Sequence, residues 1–112
     1  MKVSFRSGKL EKLCNSQKAM RRFFGEEVSR KLMRRLLELA AFETLAQVPS
    51  VPPFRCHQLS GDRAGSFAVD VDEKSRIVFV CDNSPVPKLA DGGLDKSQVT
   101  AICILEVTDY HG

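Results

Sequence analysis

Apolar and polar positions along the chain change period once, near residue 48. Before that point the spacing is helical, and after it the spacing is that of strands. Lys2 to Arg6 is the exception at the front: Val3 and Phe5 share one face and predict a short opening strand. Lys9 to about Phe24 predicts helix with a break near Asn15–Ser16, a pair suited to capping a new helix. Gly25 punctuates, and Glu26 to about Phe42 gives the clearest helical pattern. There Val28, Leu32, Leu36, Leu39 and Ala40 form an apolar stripe, and Arg30, Lys31, Arg34 and Arg35 fall largely outside it. Glu26 and Glu27 sit at the helix start, where the backbone dipole favours acids, four residues ahead of Arg30 and Lys31.

Residues 48–53 (VPSVPP) cannot continue a helix, because proline lacks the N–H and restricts its predecessor. Phe54 to Leu59 then predicts a strand, and Ser60 to Gly65 a turn. Phe67, Val69 and Val71 alternate with Ser66, Ala68, Asp70 and Asp72, the pattern of a half-buried antiparallel strand. Ile77 to Cys81 and Val99 to Val107 are nearly continuous apolar runs, expected as central strands covered on both faces. Residues 82–98, with Pro85, Pro87, Gly92 and Gly93, predict a long surface loop. Strand, helices, then a run of strands implies an α+β fold, with the N-terminal helices packed on a mostly antiparallel sheet of four to five strands.

The length of 112 residues fits one domain over 1–112, and 43% hydrophobic residues suffice for one core. No apolar run approaches the roughly 20 residues of a membrane helix. The first residues lack the apolar block of a secretory signal, so a cytoplasmic protein without membrane contact is expected. Charge is uneven. Residues 1–35 hold eleven Lys and Arg against three Glu, and residues 36–112 hold six against eleven acids. A basic stretch of this kind is either a solvated helix surface or a footprint for a polyanion such as RNA.

Cys14, Cys56, Cys81 and Cys103 are widely spaced, with no CxxC pair, and are expected as reduced structural thiols. Cys56 and His57 are adjacent on a strand and point to opposite faces, so a shared metal is not expected. There are two histidines, His57 after the proline connector and His111 in Asp109-Tyr110-His111. Cleavage of RNA by its own 2′-hydroxyl needs a base, an acid and cations that hold the phosphate. Histidine titrates near neutrality, and the arginine fork matches phosphate oxygens. Tyrosine can donate to the phosphate or stack on a base. The chain supplies all of these groups with no cofactor. Each also has an ordinary structural role to set beside the chemical one: a strand histidine, a frayed tail, a turn arginine.

Three blocks add a resemblance. Phe54 to Phe67 carries a histidine, a leucine two residues on, then Gly61-Asp62-Arg63 and a glycine before an aromatic-led strand. Arg76-Ile77-Val78-Phe79 begins a central strand with arginine, and Ile104 to His111 ends in DYH. In this order the blocks resemble the HigB toxins of the RelE/ParE toxin–antitoxin superfamily. The helical half matches in layout more than in sequence, and it is longer than in the shorter members. The loop at 82–98 is extended as well.

The resemblance implies a RelE-like fold and the toxin of a type II toxin–antitoxin system. Its activity would be that of a ribosome-dependent mRNA endoribonuclease, an mRNA interferase working in the ribosomal A site. By motif, His57, Asp109, Tyr110 and His111 become catalytic candidates, and Arg76 would stabilise the cleaved phosphate. Arg63 is a candidate for substrate binding, and Arg21, Arg22, Arg34 and Arg35 would hold ribosomal RNA. The implied partners are a HigA-type helix-turn-helix antitoxin, the ribosome and mRNA, with operator DNA reached only through the antitoxin. Two other readings share the superfamily fold: a ParE-like gyrase-inhibiting toxin without nuclease activity, and an inactive antitoxin-binding module.

Overall fold

A computed structural model describes residues 1–109. Strand β1 (Lys2–Phe5) leads into three helices, α1 (Gly8–Cys14), α2 (Gln17–Phe24) and α3 (Glu26–Ala41). The expected break at Asn15–Ser16 is a C-cap followed by an N-cap. Asn15 closes α1, and the Ser16 hydroxyl accepts from the Ala19 N–H at 3.1 Å to start α2. Gly25 joins α2 to α3 at φ +87°, a left-handed region that suits glycine.

Strands β2 (His57–Gln58), β3 (Phe67–Asp70), β4 (Ser75–Cys81) and β5 (Ala101–Asp109) follow. The sheet order is β1-β5-β4-β3-β2. All neighbours run antiparallel except β1, which lies parallel to β5. The fold class expected from the sequence is therefore observed, with five strands.

One face of the sheet packs on the helices. Phe67, Val69, Ile77, Phe79, Ile102 and Ile104 from the strands meet Met20, Leu32 and Leu39 from α2 and α3. Phe79 and Leu32 are fully buried, each worth about 1.5–3 kcal/mol in transfer alone. Phe79 stacks on Phe67 at 5.9 Å between centroids.

Four expectations are corrected. The strand at Phe54 to Leu59 shrinks to His57–Gln58, because Phe54 turns into the core and Arg55 takes a left-handed backbone. β3 is buried on both faces rather than one, since Ala68 is as inaccessible as Val69. In β5 the covering is uneven: Ile102 and Ile104 are fully buried, whereas Cys103 and Leu105 are half-buried. In α3, Ala40 is exposed, and Arg35, expected outside the apolar stripe, is 8% exposed. Arg35 lies over the Phe54 ring at 4.5 Å, so its guanidinium is packed as an aromatic partner would be.

Candidate functional site

The face of the sheet away from the helices carries the polar residues. Partners across a ladder share a face, as do alternate residues along a strand. His57 pairs with Ala68, Ala68 with Val78, and Val78 with Glu106. One step nearer the sheet end, Asp70 pairs with Arg76, and Arg76 with Thr108. His57, Asp70, Arg76, Glu106 and Thr108 thus share the face away from the helices.

At the rim of that face lies a cleft of about 470 Å³. His57 and Arg76 both line it, together with Arg35, Arg55, Asp70, Asp72 and Glu73. Ser75 lines it too, and Ser75 is the ladder partner of Asp109. The described end of β5 therefore arrives at the cleft. Tyr110 and His111, named as catalytic candidates, lie outside the described residues, and of Asp109 only the backbone is described.

Several charges in the cleft are already committed. The Arg35 Nε donates to the Asp70 carbonyl at 2.8 Å, and its Nη1 donates to Glu38 at 2.8 Å. Arg55 Nη1 donates to the Asp70 carboxylate at 3.2 Å. Asp72 accepts from the Lys74 and Ser75 N–H groups in the β3–β4 turn. Burial alone would raise the Asp72 carboxyl, but these hydrogen bonds and the Lys31 charge outweigh it and hold the group below its ordinary range.

The His57 imidazole is exposed, and its Nδ1 lies 2.7 Å from the Arg55 carbonyl. A carbonyl can only accept, so the contact is a hydrogen bond when this ring nitrogen carries the proton. On the other side of His57 a smaller hollow is lined by Cys56, Gln58 and Lys96. Burial pushes the Cys56 thiol up, partly offset by Lys96.

The remaining candidates lie elsewhere. Arg63, in the β2–β3 connection, pairs with Glu106 of β5. The hydrogen bond and charge of Glu106 hold the guanidinium more firmly protonated. Arg21 and Arg34 line a different feature, an apolar groove of about 580 Å³ between α2 and α3 that also includes Met20, Met33 and Leu37. Arg22 is exposed on α2. Of Arg21, Arg22, Arg34 and Arg35, then, only Arg35 reaches the cleft, and it does so as a buried, internally bonded group. The extended loop leaves β4 at Cys81, the end of the strand opposite Ser75.

Sequence reasoning missed Arg55 and Asp70. Asp70 looked like one polar position of an alternating strand, and Arg55 like a strand residue. A conformation with positive φ at arginine has no sequence signal. Among the described residues, no three His, Cys, Asp or Glu side chains are grouped to hold a metal. Among them also, no helix is long and apolar enough to cross a membrane.

This architecture is similar to one already solved. The chain superposes on the solved YoeB/ParE toxin from Agrobacterium tumefaciens with a TM-score of 0.56. The match covers 99% of this chain and 100% of that one, at 14% sequence identity. At that identity the likeness establishes a shared fold. No family model matches the sequence, and no curated protein matches it at a significant level.

Proposed function

We propose that this protein is the toxin of a type II toxin–antitoxin pair and cuts ribosome-bound mRNA without a metal. The observation that carries the reading is the shared cleft: His57 and Arg76 line one hollow at the sheet rim, and Ser75, the ladder partner of Asp109, lines it too. A toxin fold supports the broader role, and the three sequence blocks support a HigB-like branch.

In this mechanism His57 and His111 serve as the acid–base pair around the attacking 2′-hydroxyl and the leaving 5′-oxygen. Arg76 stabilises the charge that builds on the phosphate, which a preorganised guanidinium does without reorganisation. Asp109 and Tyr110 serve as further catalytic groups. Arg63 borders the substrate path, and the exposed Arg21, Arg22 and Arg34 lie on a basic surface suited to ribosomal RNA. A HigA-type helix-turn-helix antitoxin is the proposed partner, through which operator DNA is reached.

The test is induction in a bacterial host without antitoxin, with mapping of mRNA 5′ ends. Growth arrest with cuts inside codons is expected. His57→Ala should relieve arrest and cleavage while the protein stays folded. Arrest with intact mRNA and broken DNA would replace this reading with gyrase poisoning. Harmless expression of the wild-type chain would mean an inactive binding module.

A further inference from the structure

Arg55 is the one non-glycine residue with positive φ among the described residues, at +47°. Side chains rarely adopt that conformation, and it persists only where surrounding contacts over-determine it. Those contacts are present. The Arg55 N–H donates to the Val51 carbonyl at 2.9 Å, and the next N–H, of Cys56, donates to Pro49 at 3.0 Å. The preceding carbonyl, of Phe54, accepts from the Asp70 N–H at 2.8 Å. The Arg55 guanidinium is tied to the Asp70 carboxylate. The consequence of this turn is the direction of one carbonyl, which meets His57 Nδ1 at 2.7 Å.

We infer that Arg55 is a positioning residue: its left-handed backbone, locked by Asp70, fixes neutral His57 as the Nδ1–H tautomer. Nε2, at the far edge of the ring, then keeps its lone pair, on a side chain that is exposed and lines the cleft. This assigns the base role to His57 and leaves the acid role to the tail. The assignment of roles rests on the nuclease reading above, whereas the tautomer does not. Free histidine favours the proton on Nε2, so the Nδ1–H form is a property the protein must impose. The partner is a backbone atom two residues away, which no side-chain substitution removes. Re-aiming the backbone is therefore the way to test it.

Long-range ¹H–¹⁵N correlations of the imidazole nitrogens read the tautomer directly in the intact protein at a pH where His57 is neutral. The chain has two histidines, so the His57→Ala spectrum assigns the signals. The wild type should show Nδ1 protonated and Nε2 bare. Arg55→Gly, which accepts positive φ freely, should keep that pattern. Arg55→Val, whose branched side chain disfavours positive φ, should move His57 toward the Nε2–H form. Cleavage by Arg55→Val should then fall roughly 10- to 100-fold in kcat, with KM little changed, and Arg55→Gly should cleave faster than Arg55→Val. A wild-type spectrum with the proton on Nε2 overturns the inference whether or not Arg55→Val folds. So does an unchanged tautomer in a folded Arg55→Val. A tautomer that moves while cleavage does not would spare the positioning role and remove His57 as the base.

Discussion

Arg35 of α3 reaches the end of β3 and donates from Nε to the backbone carbonyl of Asp70 at 2.8 Å. The same Asp70 holds Arg55 through its carboxylate and Phe54 through its N–H. Arg35 therefore braces the cleft wall from inside the fold. Arg35→Ala should destabilise the protein by about 2–3 kcal/mol, since it leaves a carbonyl unsatisfied and uncovers Phe54. Arg35→Lys should recover only part of this, because an ammonium lacks the planar fork. Urea unfolding measures both, and a loss below about 0.5 kcal/mol for Arg35→Ala would return Arg35 to the class of ordinary surface arginines.

Arg76 stands on the same face as Asp70 and Thr108 and lines the cleft with His57. If it stabilises phosphate charge in the transition state, Arg76→Ala should lower cleavage by roughly 10²-fold with much less effect on ribosome binding. Arg76→Lys should fall between the two, keeping charge but losing bidentate geometry. Primer extension on a reporter message, alongside a ribosome pelleting assay, separates these effects. Equal losses in both assays would make Arg76 a binding residue instead.

Arg63 and Glu106 join the β2–β3 connection to β5 on the face away from the helices. Their side chains are 48% and 33% exposed, so solvent screens the pair, and a double-mutant cycle should give only a weak coupling. Exchanging the charges in Arg63→Glu with Glu106→Arg should restore stability relative to either single change. If Arg63 also touches substrate, the exchange should restore stability without restoring cleavage. Full recovery of cleavage would confine Arg63 to holding the connection.

Cys14 is buried at the end of α1, and burial pushes its thiol from 9.0 up to about 11. In the unfolded chain the thiol ionises near its ordinary value, whereas the fold resists ionisation. The stability that this difference protects is complete below pH 9 and is lost as pH rises toward about 11. Urea unfolding across that range should show a decline on the order of 2 kcal/mol steeper in the wild type than in Cys14→Ala. Parallel declines in the two proteins would exclude Cys14 as its source.

Periodicity alone made most of the fold legible. Ser16 and Gly25 marked the helix boundaries because capping and positive φ are local demands on the backbone. The runs Ile77–Cys81 and Val99–Val107 announced central strands because burial requires continuous apolar sequence there. His57 and Arg76 were visible as chemistry-bearing residue types, and the family-like blocks gave their order. The pattern failed where a residue's role depends on a distant neighbour. Arg35 looked solvent-facing, since a charged side chain on a helix normally is, yet Asp70, Glu38 and the Phe54 ring supply the partners that let it be buried.

The sequence determined which elements form, because helix caps, proline breaks and hydrophobic period act over a few residues. Only the tertiary structure decided which chemistry they share. Register brings His57, Asp70 and Arg76 onto one face, and helix packing puts Arg21 and Arg34 at a separate groove. Those placements follow from long-range ladder pairing and from packing of α3 on the sheet, and neither leaves a local signature. The turn at Arg55 is the clearest case: its conformation is held by Val51, Pro49 and Asp70, and no short stretch of sequence contains all of those contacts.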